Sequence, residues 1–245
     1  MIKIENFEVL GWEHAIRGMR NPMNSWENSD SFLCREVEDG TCPEDCSFRG
    51  KCPVYGTEDF FVLGNNDYDL MMRLRNAGTD HRKFMRMITV YADITAPLYW
   101  WKEFDTYKIG TVTNSCSTMH KIADKEFTIE DFSHEHLTGE TDGLWVNADG
   151  RDFMCSAFDF CQITCDVLNH YRELYLKTKD KKYWQQMIQL LPSSYNQKRT
   201  VMLNYEVLAN IYKSRRNHKL DEWVEFCKWI ESLPYSELII GGVEK

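Results

Sequence analysis

A run of small hydroxyl and amide side chains follows Gly110, and side chains of this kind can bind phosphate or carbonyl oxygens. The run comprises Thr111, Thr113, Asn114, Ser115, Ser117 and Thr118. Lys108 adds a positive charge just before it. The same side chains also cap the N-termini of helices. Two interpretations stay open, a ligand-binding loop and a capped helix, and composition alone favours the capped helix.

Large aromatic residues precede this run at spacings typical of a helix. They are Trp100, Trp101, Phe104 and Tyr107, and they follow Pro97, a residue favoured in the first turn of a helix. Four such side chains on one helix face can form the wall of a site. We therefore expect residues 93–122 to form a site, and the alternative is a buried amphipathic helix.

Four cysteines lie within a span of 19 residues: Cys34, Cys42, Cys46 and Cys52. Thiolates on a short irregular loop can close around Zn²⁺ or an iron–sulfur cluster. Their spacing matches no familiar zinc or ferredoxin pattern, so the alternative is an insertion with reduced thiols. We expect residues 32–62 to form a Cys-rich inserted loop whose four thiols are candidate metal ligands.

Two arginines, Arg17 and Arg20, lie three residues apart in a predicted helix that ends at Asn21-Pro22. Together with Asn24 in the polar loop that follows, they could bind an anion. The alternative is that both arginines are solvated, as paired arginines on a helix usually are.

The totals restrict the class of protein. With 245 residues the chain is long enough for one large domain, and we expect residues 1–245 to form a single domain. A formal net charge of -9 argues against non-specific binding to nucleic acid, because such binding needs a basic surface. No apolar run approaches the ~20 residues that cross a bilayer, and the first residues lack the apolar core of a signal peptide. We therefore expect a cytosolic protein that is not embedded in a membrane.

Residue periodicity predicts helices and strands in mixed order, which is typical of an α+β fold. Alternation predicts strands over residues 2–11, 89–95 and 199–204. Helical spacing predicts helices over residues 12–20, 67–77, 152–176, 182–190, 205–216 and 220–233. Asp67 is the predicted cap of its helix, and Phe153 and Phe160 are predicted core residues. Residues 134–151 are expected to form an acidic, turn-rich loop containing His134 and His136.

Two separated stretches, residues 78–120 and 182–230, resemble the flavin-dependent thymidylate synthases. In that family a Glu-His pair, an Ala-Pro turn, an Arg-His-Arg signature and a Ser/Asn/Glu/Ser loop follow in order. The matching positions are Asp80-His81, Ala96-Pro97, Thr106-Tyr107-Lys108, and Thr111, Asn114, Ser115 and Ser117. Nearer the C-terminus the family has a Leu-Pro, a strand that ends in Asn, and a helix with a further Asn or His and an Arg. The matching positions are Leu191-Pro192, Asn204, Asn210 and Arg215.

The resemblance implies a fold with helices packed around a central mixed or antiparallel sheet, an FAD cofactor, and a homotetramer with a cleft between subunits. The residues it implies for the flavin are His81, Lys108, Asn204 and Asn210. Those it implies for a pyrimidine deoxynucleotide are Lys108, Thr111, Asn114, Ser117 and Arg215. Among these, Arg215 and Ser117 are the candidate catalytic residues. The implied reaction transfers a one-carbon unit, as a methyl group, to the ring of dUMP.

The chain also departs from the family pattern. Thr106 and Lys108 stand where the signature has arginine, Ser115 where the loop has glutamate, and Ile188 where the family has a further arginine. Threonine and isoleucine lack the planar fork that arginine offers to phosphate, and lysine replaces it only as a point charge.

These departures leave two further hypotheses open. The first is a non-catalytic descendant of the fold that acts as a nucleotide-binding or assembly protein, with a metal held by the cysteines. The second is that function has moved to the loop of Arg17, Arg20 and Asn24.

Overall fold

The computed structural model describes residues 2–35 and 59–241. The first elements of this part, in chain order, are β1 (Lys3–Leu10), α1 (Trp12–Arg20), β2 (Phe32–Arg35), β3 (Asp59–Val62), α2 (Asn65–Asn76), β4 (Thr89–Pro97), α3 (Leu98–Phe104), β5 (Val112–Ser115) and α4 (Thr118–Lys121). The remaining elements are β6 (Trp145–Ala148), β7 (Arg151–Met154), α5 (Ala157–Thr178), α6 (Lys181–Leu190), β8 (Asn196–Asn204), α7 (Tyr205–Arg215), α8 (Asp221–Glu231) and α9 (Glu237–Ile240).

A four-stranded antiparallel sheet with the order β1-β4-β8-β5 organises the molecule. Its two central strands, β4 and β8, pair from Thr89 opposite Asn204 to Pro97 opposite Asn196. Along β4 the alternate residues Val90, Ala92, Ile94 and Ala96 are buried, as the alternation of apolar and polar residues predicts. The α+β prediction, with helices around a central sheet, is confirmed.

The aromatic residues of α3 lie in the core. Trp100, Trp101 and Phe104 are fully buried. The ring centroid of Trp100 lies 4.8 Å from that of Trp223 in α8 and 5.5 Å from that of Phe226. Aromatic pairs at such distances stabilise a core beyond the area that they bury. The expectation that these side chains form the wall of a site is therefore wrong for all three, and the buried amphipathic helix is correct.

A second hydrophobic cluster joins α5 and α6 to the segment after α4. It contains Phe127, Phe132, Leu168 and Met187, all buried. Asn169 in α5 fixes this segment, because its side-chain amide exchanges two 2.8 Å hydrogen bonds with the backbone of Phe127.

The helix predicted over residues 152–176 begins later, at Ala157. Residues Arg151–Met154 instead form β7, which pairs with β6. Ser156 stops the extended segment, because its hydroxyl accepts from the Asp159 backbone and the Asp159 carboxylate accepts from the Ser156 backbone. Phe153 and Phe160 are exposed, so their prediction as core residues is wrong.

Asp67 does not cap α2. The N-cap position belongs to Gly64, and the buried Asp67 carboxylate lies 2.6 Å from the guanidinium of Arg20. Burial opposes ionisation of Asp67, but hydrogen bonds from Ser31, Ser29 and Arg20 outweigh it and leave its pKa below the ordinary value. The structure therefore couples α1 to α2 through a buried ion pair.

The ends of the predicted inserted loop 32–62 are joined by pairing of β2 with β3, in which Cys34 lies opposite Phe60. Cys42, Cys46 and Cys52 lie outside the described residues. Residues 134–151 contain several turns and strand β6. Within residues 2–35 and 59–241, no helix is long and apolar enough to cross a membrane.

Candidate functional site

Arg215, the last residue of α7, lies at the centre of a polar and aromatic cluster. Its Nε donates to the Tyr107 hydroxyl at 3.0 Å, and its Nη1 lies 2.8 Å from Oε2 of Glu103. The guanidinium carbon sits 4.8 Å from the ring centroid of Trp223, within the range of a cation–π interaction. Trp223 donates to the same Glu103 oxygen at 3.0 Å. The arginine is thus held between an acidic partner and two aromatic rings.

Asn204 ties the start of α7 to the loop that follows Tyr107. Its Oδ1 accepts the backbone N–H of Val207 at 3.0 Å, so Asn204 is the N-cap of α7. Its Nδ2 donates to the backbone carbonyl of Gly110 at 3.4 Å. Gly110 has φ +79°, and a Cβ built on it would meet the Asn204 amide nitrogen at 2.6 Å. Only glycine allows this approach at a positive φ.

Both ends of α7 therefore contact the segment from Tyr107 to Gly110. Asn204 contacts it from the N-terminal end of the helix and Arg215 from the C-terminal end. Both contacts lie within one chain. We call Glu103, Tyr107, Gly110, Asn204 and Arg215 the α7 cluster.

The hydroxyl and amide residues after Gly110 belong to three different elements: a turn, strand β5 and the N-cap of α4. The Thr111 hydroxyl donates to the Tyr107 carbonyl and closes the turn. Asn114 is exposed on β5, where it lies opposite Thr200 of β8. Ser117 is the N-cap of α4 and accepts the backbone N–H of His120 at 3.0 Å. The capped-helix interpretation is correct for Ser117, while Lys108 and Asn114 keep exposed side chains beside the α7 cluster's loop.

No protein-family model and no curated protein sequence matches the chain. Solved structures do match it. The structure of thymidylate synthase X (ThyX) from Helicobacter pylori with FAD and dUMP has a TM-score of 0.61 at 15% identity, over 98% of each chain. A second structure of that flavin-dependent enzyme, also complexed with FAD and dUMP, has a TM-score of 0.58 at 16% identity, over 98% of this chain and 97% of the other.

The UMP/dUMP methylase PolB from Streptomyces cacaoi, bound with 5-Br dUMP, has a TM-score of 0.52 at 11% identity. That match covers 95% of this chain and 89% of PolB. The chain has the flavin-dependent thymidylate synthase fold. The sequence resemblance was limited to residues 78–120 and 182–230. The structure confirms it as a common fold that extends over nearly the whole chain.

Of the positions predicted from the resemblance, Asn204 and Arg215 contact the Tyr107–Gly110 segment directly. Asn210 is exposed on α7, three residues after Val207, whose side chain lies against Gly110. No hydrogen bond within the described residues joins Asn210 to this segment. His81 is exposed just before a 3₁₀ turn at Arg82–Arg86, and no hydrogen bond within the described residues joins it to the α7 cluster.

Sequence reasoning missed Glu103, His218 and Trp223. Glu103 faces Arg215 from 112 positions earlier in the chain, so no local spacing could have paired them. His218 Nε2 lies 3.0 Å from Arg215 Nη1 and 3.7 Å from Glu103. The sequence could have indicated this contact, because His218 follows Arg215 by only three residues. A side chain just beyond the end of a helix can fold back and contact the last turn of that helix.

The donor groups near Gly110 fit the ring of a flavin. Amide groups and a cation can bind the carbonyl oxygens and ring nitrogens of an isoalloxazine, and Asn204, Asn210 and Lys108 supply groups of both kinds. The hydrogen bond from Asn204 to Gly110 is long, at 3.4 Å, so a ligand acceptor with better geometry can replace the Gly110 carbonyl while the amide oxygen keeps its bond to Val207. For a metal, no group of three or more His, Cys, Asp or Glu in the described ranges is placed to hold an ion.

A cavity of about 410 Å³ lies beside α1. The residues that line it include the apolar Ile16, Trp26 and Phe61, and Arg17. Arg20 also lines it, but this arginine is buried and paired with Asp67, so the solvated interpretation is wrong for Arg20. Arg17 is exposed, as that interpretation predicts. Asn24 does not line the cavity.

Proposed function

We propose that the protein binds FAD and a pyrimidine deoxynucleotide such as dUMP at the α7 cluster. In this proposal a one-carbon unit passes from a folate to the nucleotide ring, where it replaces a ring hydrogen. The observation that carries this proposal is the meeting of Asn204 and Arg215 on the loop of Gly110. It is supported by a fold in common with structures that contain FAD with dUMP. Bound flavin would supply the redox chemistry of the transfer, which needs no protein nucleophile.

In this proposal the protein binds and orients the two ligands. Asn204, Asn210, His81 and Lys108 hold the flavin through amide, imidazole and ammonium donors. Arg215 donates to the pyrimidine ring, because its guanidinium presents a planar fork that two ring atoms can accept from.

In this proposal Lys108 and Ser117 bind the phosphate, and Thr111 and Asn114 lie beside it. These side chains bind an anion more weakly than arginine would, since lysine acts as a point charge and the others are neutral. We therefore expect weaker nucleotide binding than arginine-rich sites achieve.

Glu103 competes with a ligand for the guanidinium of Arg215, because its carboxylate already lies 2.8 Å from Arg215 Nη1. This competition should lower the affinity of Arg215 for a nucleotide. Glu103→Gln keeps an acceptor for Trp223 and removes the competing charge. A hydrogen bond to a charged group contributes about 1.5–3 kcal/mol, so we expect dUMP to bind roughly tenfold more tightly to this variant. Isothermal titration calorimetry measures the change. Equal dUMP affinity in the unaltered protein, Glu103→Gln and Arg215→Ala would remove Arg215 from the site.

The absorption spectrum of the purified protein tests the cofactor. We expect flavin absorbance in the protein as isolated or after addition of FAD, and loss of that binding in Asn204→Ala/Asn210→Ala. Asn204 also caps α7, so the double variant could lose FAD because the helix is destabilised. The single variant Asn210→Ala controls for this effect, because it leaves the cap intact. A protein that stays colourless and takes up no FAD at mid-micromolar concentration overturns the enzymatic proposal.

A second candidate function is nucleotide binding or assembly without catalysis. It is favoured by the internal pairing of Arg215 with Glu103 and Tyr107. A thermal shift with dUMP but none with FAD would support it over the enzyme. Elemental analysis for zinc and iron tests whether Cys34, Cys42, Cys46 and Cys52 hold a metal.

We also propose that the protein acts as a homotetramer in the cytosol, with ligand sites completed between subunits.

A further inference from the structure

A second cavity, of about 310 Å³, lies between α4, the C-terminal end of α5 and the start of α6. Tyr175 and Trp184 form its aromatic walls, and the buried Ile122 and Ala123 close its inner end. Small-molecule sites typically begin at about 300 Å³ and combine apolar walls with a few polar groups. The cavity has the size and lining of a site for a small ligand.

Three basic side chains line this cavity: His120, Lys179 and Lys181. Among residues 2–35 and 59–241 no carboxylate lines it, although the chain carries a net charge of -9. In the described part of the chain, neither Lys179 nor Lys181 forms an ion pair. Lys179 lies over the ring of Tyr175, 5.8 Å from its centroid, so an ammonium group and an aromatic face stand together. The local excess of positive charge favours an anion.

Two carboxylates next to these helices, Asp180 and Asp124, have other partners. Asp180 caps α6 by accepting from the Lys182 backbone at 3.0 Å, and its other oxygen lies 3.3 Å from the Lys182 ammonium group. Asp124 pairs with Lys121 at 2.8 Å. Neither carboxylate therefore neutralises Lys179 or Lys181.

The three helices around the cavity are fixed to one another. The Trp184 indole donates to the Met119 carbonyl at 3.0 Å, which ties α6 to α4. Arg172 in α5 donates to the Ala123 carbonyl at 3.0 Å. A cavity held by such bonds needs little reorganisation when a ligand enters, and preorganisation of this kind improves affinity.

We propose that this cavity binds a phosphate monoester carried on an aromatic group, with the phosphate at Lys179 and Lys181 and the ring between Tyr175 and Trp184. Ammonium groups bind phosphate as point charges, and a planar ring gains contact with both aromatic walls. The cavity has no lining residue in common with the α7 cluster. This binding site therefore goes beyond the proposed function and does not depend on flavin.

Calorimetric titration of the flavin-free full-length protein tests the site, with phenyl phosphate, inorganic phosphate and phenol as probes at low ionic strength. We expect phenyl phosphate to bind at least tenfold more tightly than either inorganic phosphate or phenol. We expect Lys179→Gln/Lys181→Gln to weaken it at least tenfold. The matched control Lys177→Gln/Lys219→Gln removes two positive charges outside the lining and should bind as the unaltered protein does.

Circular dichroism first establishes that all variants are folded. Equal affinities for phenyl phosphate in Lys179→Gln/Lys181→Gln and its control would overturn the site, and so would equal affinities for phenyl and inorganic phosphate. A dUMP titration of both lysine variants then identifies whether a pyrimidine nucleotide is one source of the phosphate ester. Failure of FAD or dUMP binding at the α7 cluster leaves these phenyl phosphate results unaffected.

Discussion

Asn204 combines two roles in one side chain. Its oxygen caps α7 and its nitrogen reaches the Gly110 carbonyl, so the amide is oriented by backbone groups on both sides. Such a fixed amide suits a binding site, because little rotamer entropy is lost when a ligand accepts from it. The arrangement requires that residue 110 have no side chain.

Replacement of Gly110 by alanine tests this requirement. The new Cβ would meet Asn204 Nδ2 at 2.6 Å, at a φ of +79° that alanine rarely adopts. Gly143→Ala is the matched control, because Gly143 has φ +75° and no atom of the described residues lies within 4 Å of its Cβ position. Both variants carry a backbone cost of about 1–2 kcal/mol. We expect Gly110→Ala to lose about 1 kcal/mol more, through the displaced cap, and to bind FAD more weakly.

Urea unfolding followed by circular dichroism measures both variants, and FAD titration completes the comparison. Equal losses of stability together with unchanged FAD binding would contradict the role given to the contact between Gly110 and Asn204.

At the scale of helices and strands, local sequence pattern predicted most of the architecture. The alternation in β4 and the apolar spacing in α1 and α7 are properties of neighbouring residues, and both correspond to buried faces. The spacing of Trp100, Trp101 and Phe104 was also read as helical, but a pattern cannot distinguish a core face from the wall of a site. The structure distinguishes them, because α8 covers Trp100 and Phe104. The third ring, Trp101, packs against β8, where its indole donates to the Gln197 carbonyl at 2.9 Å.

Pairs distant in the chain could not be predicted in the same way. Asp67 was read as a cap because acidic residues at helix starts often are, and its true partner lies 47 positions earlier. The same holds for Glu103 and Arg215. The resemblance supplied Asn204 and Arg215 as candidates, and only the folded chain brings both to the segment from Tyr107 to Gly110.

Substitution of two arginines of α1 measures how much the ion pair between α1 and α2 contributes to the free energy of unfolding. Arg20 is buried against Asp67, whereas Arg17 is exposed. Removal of one partner from a buried pair leaves an uncompensated charge and costs about 3–5 kcal/mol. We expect Arg20→Ala to destabilise the protein by this amount and Arg17→Ala by less than about 0.5 kcal/mol. Chemical unfolding of the two variants measures the difference, and similar stabilities would contradict the coupling.

The sheet has an acid-sensitive contact between three strands. Asp93 of β4 accepts from Thr200 of β8 at 2.7 Å and from Asn6 of β1 at 3.1 Å, and Lys198 lies 3.2 Å away. The Thr200 hydroxyl, then Asn6 and Lys198, lower the pKa of Asp93 to about 2. A lowered pKa stabilises the fold above the unfolded value, and this contribution is lost as the pH falls from about 4 towards 2.

Asp93→Asn cannot titrate, so its stability should fall less steeply than that of the unaltered protein between pH 4 and pH 2. Thr200→Val removes the largest cause of the lowered pKa and should move the loss towards higher pH. Urea midpoints measured across this range decide the point. Parallel curves for the unaltered protein and Asp93→Asn would exclude Asp93 as a contributor.

At the scale of the whole molecule, one face of α5 exposes apolar side chains. Phe160, Ile163 and Val167 recur at helical spacing and are 58%, 40% and 37% exposed. The hairpin that leads into α5 adds Trp145, which is 62% exposed, and Met154, which is 51% exposed. Apolar side chains concentrated on one face are typical of an interaction surface. A second copy of this chain is the occupant that the proposed tetramer requires.

Charge placed on this face should therefore disrupt assembly. We expect the unaltered protein to sediment as a tetramer and Phe160→Glu/Ile163→Glu to form smaller species, because a buried unpaired carboxylate costs several kcal/mol. Met23→Glu is the control, since Met23 is 82% exposed and lies outside this face. Sedimentation velocity gives the mass of each species, and circular dichroism establishes that the variants stay folded. If the ligand sites are completed between subunits, FAD affinity should fall with the tetramer in Phe160→Glu/Ile163→Glu. A monomeric unaltered protein, or a tetramer unaffected by both carboxylates, would contradict this assignment of the α5 face.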